Sequence, residues 1–136
     1  LMMAMTHFKP VFNFISPEKL RMPEAYKMYL DNLGIKYYEH REFTDIISEA
    51  DIIYMTRVQR ERFSDPIEYE KNKNVYVLKN SMLKSTKDNL RILHPLPRVN
   101  EISDDVDANP KAYYFQQALN GVFTRQAIIT SILGLK

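Results

Sequence analysis

The 136-residue sequence contains no cysteine and only three glycines. Without thiols there are neither disulfides nor thiolate metal ligands, which fits an intracellular enzyme. Three glycines cannot build a glycine-rich phosphate loop, and the G-x-G-x-x-G dinucleotide fingerprint is absent. No serine sits between glycines as in a hydrolase nucleophile elbow. No apolar run approaches the roughly 20 residues needed to span a bilayer. The apolar start, Leu1 to Met5, lacks the basic flank and small-residue cleavage pattern of a signal peptide. A start on Leu reads as a missing N-terminus, with Leu1 to Phe8 as the end of a helix. Charge of one sign is also scarce: the net value is +2. Its acids and bases are interspersed, which gives no case for nucleic acid or a membrane surface as partner. His7, His40 and His94 have no metal-ligand spacing. Asp104, Asp105 and Asp107 lack the glycine and distal glutamate of a calcium loop.

What is present suits one ordinary domain rich in Tyr and Phe. Short β-rich runs alternate with helical patterns. Val11 to Ile15, Ile35 to Glu39, Asp51 to Met55, Val75 to Leu78 and Arg91 to His94 read as five strands. The third is nearly continuous in apolar residues, as in a strand covered on both faces. Pro23 opens a helix to about Leu33, and Gly34 caps it. Thr44 is placed as the N-cap of a short helix through Ala50, with Phe43 and Ile47 as a staple pair. Asn80 or Ser81 opens another short helix. Pro110 opens a last helix through Leu133, with Gly121 inside it as a bend or a point of close approach. The alternation predicts an α/β fold: a doubly wound, parallel, five-stranded sheet with helices on both faces. Lys71 to Asn74 reads as a solvated loop tip.

In such sheets ligands bind beyond the carboxyl ends of the strands. The third strand runs into Thr56-Arg57-Val58-Gln59-Arg60-Glu61-Arg62-Phe63, and the fifth into Pro95-Leu96-Pro97-Arg98-Val99-Asn100-Glu101. In an extended segment Arg57 and Gln59 share a face. A guanidinium can hold a carboxylate through two parallel hydrogen bonds, and an amide can add a donor. Glu61 repeats the spacing and could hold Arg57. By charge alone the same loop reads as simply solvated; its place after a buried strand puts the two readings level. In the second segment two prolines stiffen the backbone around Leu96 and expose carbonyl acceptors. By physics alone, that turn reads as no more than the end of a strand. His94 reads as a hydrogen-bonded structural residue.

Met55-Thr56-Arg57-Val58-Gln59-Arg60-Glu61-Arg62 and His94-Pro95-Leu96-Pro97-Arg98-Val99-Asn100-Glu101-Ile102 resemble the aspartate-domain signatures of the aspartate carbamoyltransferases. Tyr114-Phe115-Gln116-Gln117-Ala118, Asn120-Gly121-Val122-Phe123 and Arg125-Gln126-Ala127 resemble that family's last helix. The resemblance covers essentially the whole chain. The ornithine carbamoyltransferases, by comparison, are expected to carry cysteine in place of Pro95.

The resemblance implies that residues 1–136 are the aspartate-binding domain, with the carbamoyl-phosphate domain absent. Arg57 and Gln59 would bind the carboxylates of aspartate. Pro95 and Leu96 would offer backbone carbonyls to the amino groups of carbamoyl phosphate and aspartate. Leu96-Pro97 would be cis. Glu61 would brace Arg57, Arg62 would bridge to an acidic residue of the other domain on closure, and Arg98 would support the site from behind. Thr56 to Asn74 would be a mobile loop.

The implied reaction is attack by the aspartate amine on carbamoyl phosphate, in pyrimidine biosynthesis, with no metal or organic cofactor. The implied intact enzyme is a cytoplasmic homotrimer with no nucleic-acid or membrane partner, although organellar targeting stays open with the N-terminus missing. The family's Ser-Thr-Arg-Thr phosphate loop, its catalytic His and Arg, and the Ser and Lys lent by a neighbouring subunit are not in this sequence. No catalytic residue is therefore assigned here, and the isolated chain is expected to be inactive. Asn100 stands where many relatives have Asp, which would weaken a contact to Tyr69. Leu119 replaces a common glycine, and one extra residue lies between Phe63 and Tyr69. Leu1 to Met5 and Ile128 to Leu135 are the apolar patches expected to pack on the missing half. Two rival readings are a catalytically silent binding module with the same fold, and a dinucleotide-binding domain, which the missing fingerprint disfavours.

Overall fold

The computed structural model describes residues 1–44, 46–58, 63–73 and 75–135. The chain forms two compact units, Leu1–Ile46 and Ile47–Lys136.

The first unit opens with helix α1 (Met2–Met5), extended by a 3-10 turn over Thr6–Phe8. Strand β1 (Phe12–Ile15) and strand β2 (Tyr37–His40) pair in parallel, Phe12 opposite Tyr37 through Ile15 opposite His40. Helix α2 (Glu24–Asn32) makes the crossover. Pro23 stands just outside α2 as its N-cap. At the other end Gly34 takes φ 64°, which costs a glycine little. There the Gly34 N–H donates to Asp31 O and the Ile35 N–H to Leu30 O, both at 3.0 Å. This paired closure satisfies carbonyls the helix would leave orphaned. Ile35, expected in the strand, is used in that closure, so β2 starts at Tyr37. Leu30 and Ile35 are both buried. Phe12 and Phe14 lie on one face of β1 and stack at 5.6 Å.

The second unit is built on strand β3 (Ile52–Tyr54) and strand β4 (Arg91–Leu93), also parallel, with Ile53 opposite Ile92. Leu78 and Ile92 are fully buried, with Leu90, Ile102, Val106 and Tyr114 around them. Helix α3 (Pro66–Asn72) lies inside the stretch expected to be a loop. Its signal is Asp65-Pro66: the Asp65 carboxylate accepts the Ile67 N–H at 2.9 Å, and Pro66 suits a first turn.

The described strands thus form two two-stranded parallel sheets, and the α/β character is as expected. Where five strands were expected, Val75 to Leu78 contributes only a bridge, Leu78 to Ile102. The expected helix from Thr44 to Ala50 is a series of turns among its described residues. So short a segment cannot offset the cost of helix nucleation without packing support. Asn80–Leu83 forms a 3-10 turn.

The last helix, α4 (Tyr114–Ile132), begins four residues after Pro110. The backbone in between is committed elsewhere: the Ile92 N–H donates to Lys111 O and the Tyr113 N–H to Ile92 O, both at 2.9 Å. Of α4 only Tyr114 is buried. Phe115, Leu119, Val122, Ile129 and Leu133 recur at helical spacing and are all exposed. At Gly121 an added Cβ would meet the tip of the Arg125 side chain, one turn further along α4 itself, at 2.9 Å.

Candidate functional site

β3 and β4 are parallel neighbours, so both chains leave the sheet at the same edge. Tyr54 pairs with Leu93, and the Met55 N–H still donates to Leu93 O at 2.9 Å. Arg57 is three residues past its strand and Leu96 three past its own. The two sequence segments therefore share one rim, with Arg57 and Pro95 exposed and Leu96 half-buried. Gln59, Glu61 and Arg62, named from the sequence beside Arg57, lie outside the described residues.

The turn after β4 is tightly specified. Leu96-Pro97 is cis, as expected, and Leu96 adopts φ 48°. That left-handed conformation costs a non-glycine residue about 1 kcal/mol or more unless neighbours hold it. Here they do. The Leu96 N–H donates to His94 Nδ1 at 2.8 Å, and His94 Nε2 meets Glu101 Oε1 at 2.7 Å. Glu101 Oε2 accepts the N–H groups of Val99 and Asn100 at 3.2 and 3.1 Å. The His94 N–H donates to Gln117 Oε1 of α4 at 2.9 Å. His94 and Glu101 are both buried, so His94 is the hydrogen-bonded structural residue the sequence suggested. Glu101 and Gln117 were missed as supports. Their signal was weak: a carboxylate seven residues past a histidine, and an amide one helical turn into the last helix.

Arg98 lies one step further along. Its guanidinium forks onto Asp107, donates to Asp104 Oδ1 at 2.8 Å, and reaches the Tyr114 hydroxyl at 3.2 Å. The Tyr114 hydroxyl itself donates to Asp107. The Arg98 side chain thus ties the turn to the 3-10 turn Asp104–Val106 and to the start of α4.

Hydrogen bonding from Arg98 holds the Asp107 carboxyl below its usual range, against the opposing effect of burial. Burial, then the Asp107 carboxylate, pushes the Tyr114 hydroxyl up to about 12. The signs set the pH behaviour. A depressed Asp107 stabilises the fold above its unfolded value near 3.9, and that contribution is lost as pH falls through the folded value. A raised Tyr114 stabilises it below about 10 and loses that contribution as pH climbs towards 12. Asp107→Asn is therefore expected to lower the melting temperature at pH 6 and flatten its fall below pH 4. Calorimetric melts across pH check this; an acid limb as steep as wild type would count against the Arg98–Asp107 assignment.

Among the described residues no group of three or more His, Asp or Glu could hold a metal ion. No helix among them is long and apolar enough to cross a membrane. The rim thus carries the Arg57 side chain past β3 and the backbone carbonyls of Pro95 and Leu96 past β4.

Residues 1–132 match the family model described as "Aspartate/ornithine carbamoyltransferase, Asp/Orn binding domain". This chain belongs to that family. The aspartate carbamoyltransferase catalytic subunit of Bacteroides thetaiotaomicron is 65% identical over 136 residues, which is 99% of this chain and 44% of that protein. The carbamoyltransferase domain described here thus spans less than half the length of the curated relatives it matches. Among solved structures, the catalytic subunit of M. jannaschii aspartate transcarbamoylase matches with a TM-score of 0.82 and 40% identity, over 91% of this chain and 40% of that one. The Trypanosoma cruzi enzyme, in complex with carbamoyl aspartate and phosphate, gives 0.76 and 30%, over 88% and 39%.

Proposed function

We propose that this chain is the aspartate-binding half of an aspartate carbamoyltransferase. The supporting observation is the shared exit of β3 and β4, with a guanidinium past one strand and a carbonyl-bearing turn past the other. In this reading Arg57 and Gln59 hold the carboxylates of L-aspartate, and Leu96 accepts from its amine. The carbonyls of Pro95 and Leu96 accept from the amino group of carbamoyl phosphate. Glu61 and Arg62 steady that grip, and Arg98 secures the turn from behind. The aspartate nitrogen attacks the carbamoyl carbon, the C–O bond to phosphate breaks, and the nitrogen sheds a proton, giving N-carbamoyl-L-aspartate and phosphate. Catalysis would be positioning and charge stabilisation, with the carbamoyl-phosphate loop supplied by an N-terminal domain and by a neighbouring subunit of a homotrimer. A single doubly wound sheet in the intact enzyme belongs to the same proposal.

The apolar row on α4 in the second unit and, separately, the exposed Leu1 and Met3 in the first are surfaces that the N-terminal domain would cover. Relatives of more than twice this length leave ample chain to do so.

The test compares the 136-residue chain with the full-length protein that contains it. Carbamoyl aspartate should form only with the full-length protein. Turnover by the short chain would overturn the half-site reading, and none by either would overturn the assignment of the reaction.

A further inference from the structure

The turn after β4 has an unusual balance of donors and acceptors. Pro95 and Pro97 carry no N–H. The N–H groups of His94, Leu96, Val99 and Asn100 are all taken by side chains: Gln117, His94 and Glu101. Among the described residues no donor reaches the carbonyl oxygen of Pro95 or of Leu96. From residue 95 to residue 97 the backbone therefore presents acceptors and no donor.

That balance depends on one proton. A backbone N–H can only donate, so His94 Nδ1, 2.8 Å from the Leu96 nitrogen, must carry a lone pair. The hydrogen of the neutral ring then sits on Nε2, which faces Glu101 Oε1 at 2.7 Å. The Glu101 carboxylate can only accept, and its second oxygen is already engaged by two backbone N–H groups. The opposite tautomer would set N–H against N–H at Leu96 and leave Nε2 facing a carboxylate with no hydrogen between them.

We propose that His94 and Glu101 are positioning residues that fix substrate specificity at this rim. Glu101 selects the His94 tautomer, His94 consumes the Leu96 N–H, and the turn becomes a receptor for N–H donors alone. This rests on the reading that the Pro95 and Leu96 carbonyls meet the amino groups of the substrates. Neither residue touches the substrate; both act through the Leu96 peptide.

Two substitutions separate positioning from mere packing in the full-length protein. In His94→Asn the side-chain carbonyl stands close to where Nδ1 was and can still accept the Leu96 N–H, while the link to Glu101 is lost. In His94→Gln the amide can still donate to Glu101, but the Leu96 N–H loses its acceptor. Both variants should melt at lower temperature than wild type. His94→Asn should keep the KM for aspartate and for carbamoyl phosphate within about threefold. His94→Gln should raise both about tenfold, the equivalent of one lost buried hydrogen bond. Equal KM values in the two variants would overturn the proposal.

The tautomer is also readable without turnover. Imidazole nitrogen-15 shifts of His94 should show a protonated Nε2 and a bare Nδ1 in wild type, and a weaker preference for that tautomer in Glu101→Gln, where the Leu96 N–H alone still demands it. A protonated Nδ1 in wild type would overturn the proposal even if both His94 variants failed to fold. Wild-type protein that makes no carbamoyl aspartate would instead sink the functional reading, and the nitrogen shifts would still decide the tautomer.

Discussion

Replacing Arg57 with alanine in the full-length protein is expected to raise the KM for aspartate about 100-fold or more and to cut turnover sharply. The magnitude follows from the chemistry assigned to it. A charge-assisted, two-point grip on a carboxylate contributes about 3 kcal/mol, and its removal leaves the substrate's own charge unpaired at the rim. The KM for carbamoyl phosphate should move little, because its contacts are assigned to the turn after β4 and to the other domain. Arg57→Lys should recover only part of the loss, since an ammonium holds its charge but not the planar fork. Steady-state kinetics with each substrate varied in turn provides the measurement. Aspartate kinetics like wild type in Arg57→Ala would remove this residue from the site, and with it the main support for the half-site reading.

Glu101→Ala is expected to be the most destabilising polar substitution at the rim. It strands three donors at once: His94 Nε2–H and the N–H groups of Val99 and Asn100. An unsatisfied buried donor costs on the order of 1–3 kcal/mol, which applies in full to His94 Nε2 and less to the part-buried N–H groups of Val99 and Asn100, and removing one side of a buried charged contact adds to it. A net loss of about 3–5 kcal/mol is a large share of the roughly 5–15 kcal/mol that holds a typical fold together. Glu18→Ala supplies the contrast. That carboxylate also meets two partners, Arg21 and Arg41 at 3.1 and 3.0 Å, but it is largely exposed. Its loss should change stability by no more than about 0.5 kcal/mol. Denaturation midpoints of both variants beside wild type decide it; equal midpoints for Glu101→Ala and Glu18→Ala would show that the rim carboxylate carries no special weight.

Much of this arrangement is legible in the sequence, and the boundary of that legibility has a physical origin. α2 announced itself because its punctuation is local: Pro23 before it and Gly34 after it. The cis Leu96-Pro97 bond followed from the family motif, and the parallel strands from the alternation of patterns. What was misplaced depended on partners distant in sequence. Lys111 and Tyr113 are held by Ile92, so α4 starts later than Pro110 implied. Leu78 is held by Glu101 and Ser103, so a run read as a strand is only a bridge. α3 is the exception, since its Asp65-Pro66 start was visible and was outweighed by the surrounding charge. In the site, Arg57 and Leu96 stood out by residue type and motif. Glu101 and Gln117 did not, because a supporting side chain is defined by what it faces and no spacing rule encodes that.

The donor-free turn and the guanidinium on the neighbouring strand exit give this edge of the domain a built-in polarity, cationic at one end and lone-pair-rich at the other. An amino acid with its acid groups at the Arg57 end and its amine towards Leu96 matches that polarity; the same molecule reversed would face repulsion at both ends. Succinate, which keeps both acids and has no amine, would therefore be held by only one end. On the proposed reading, the orientation of the incoming nucleophile would then be settled at this rim.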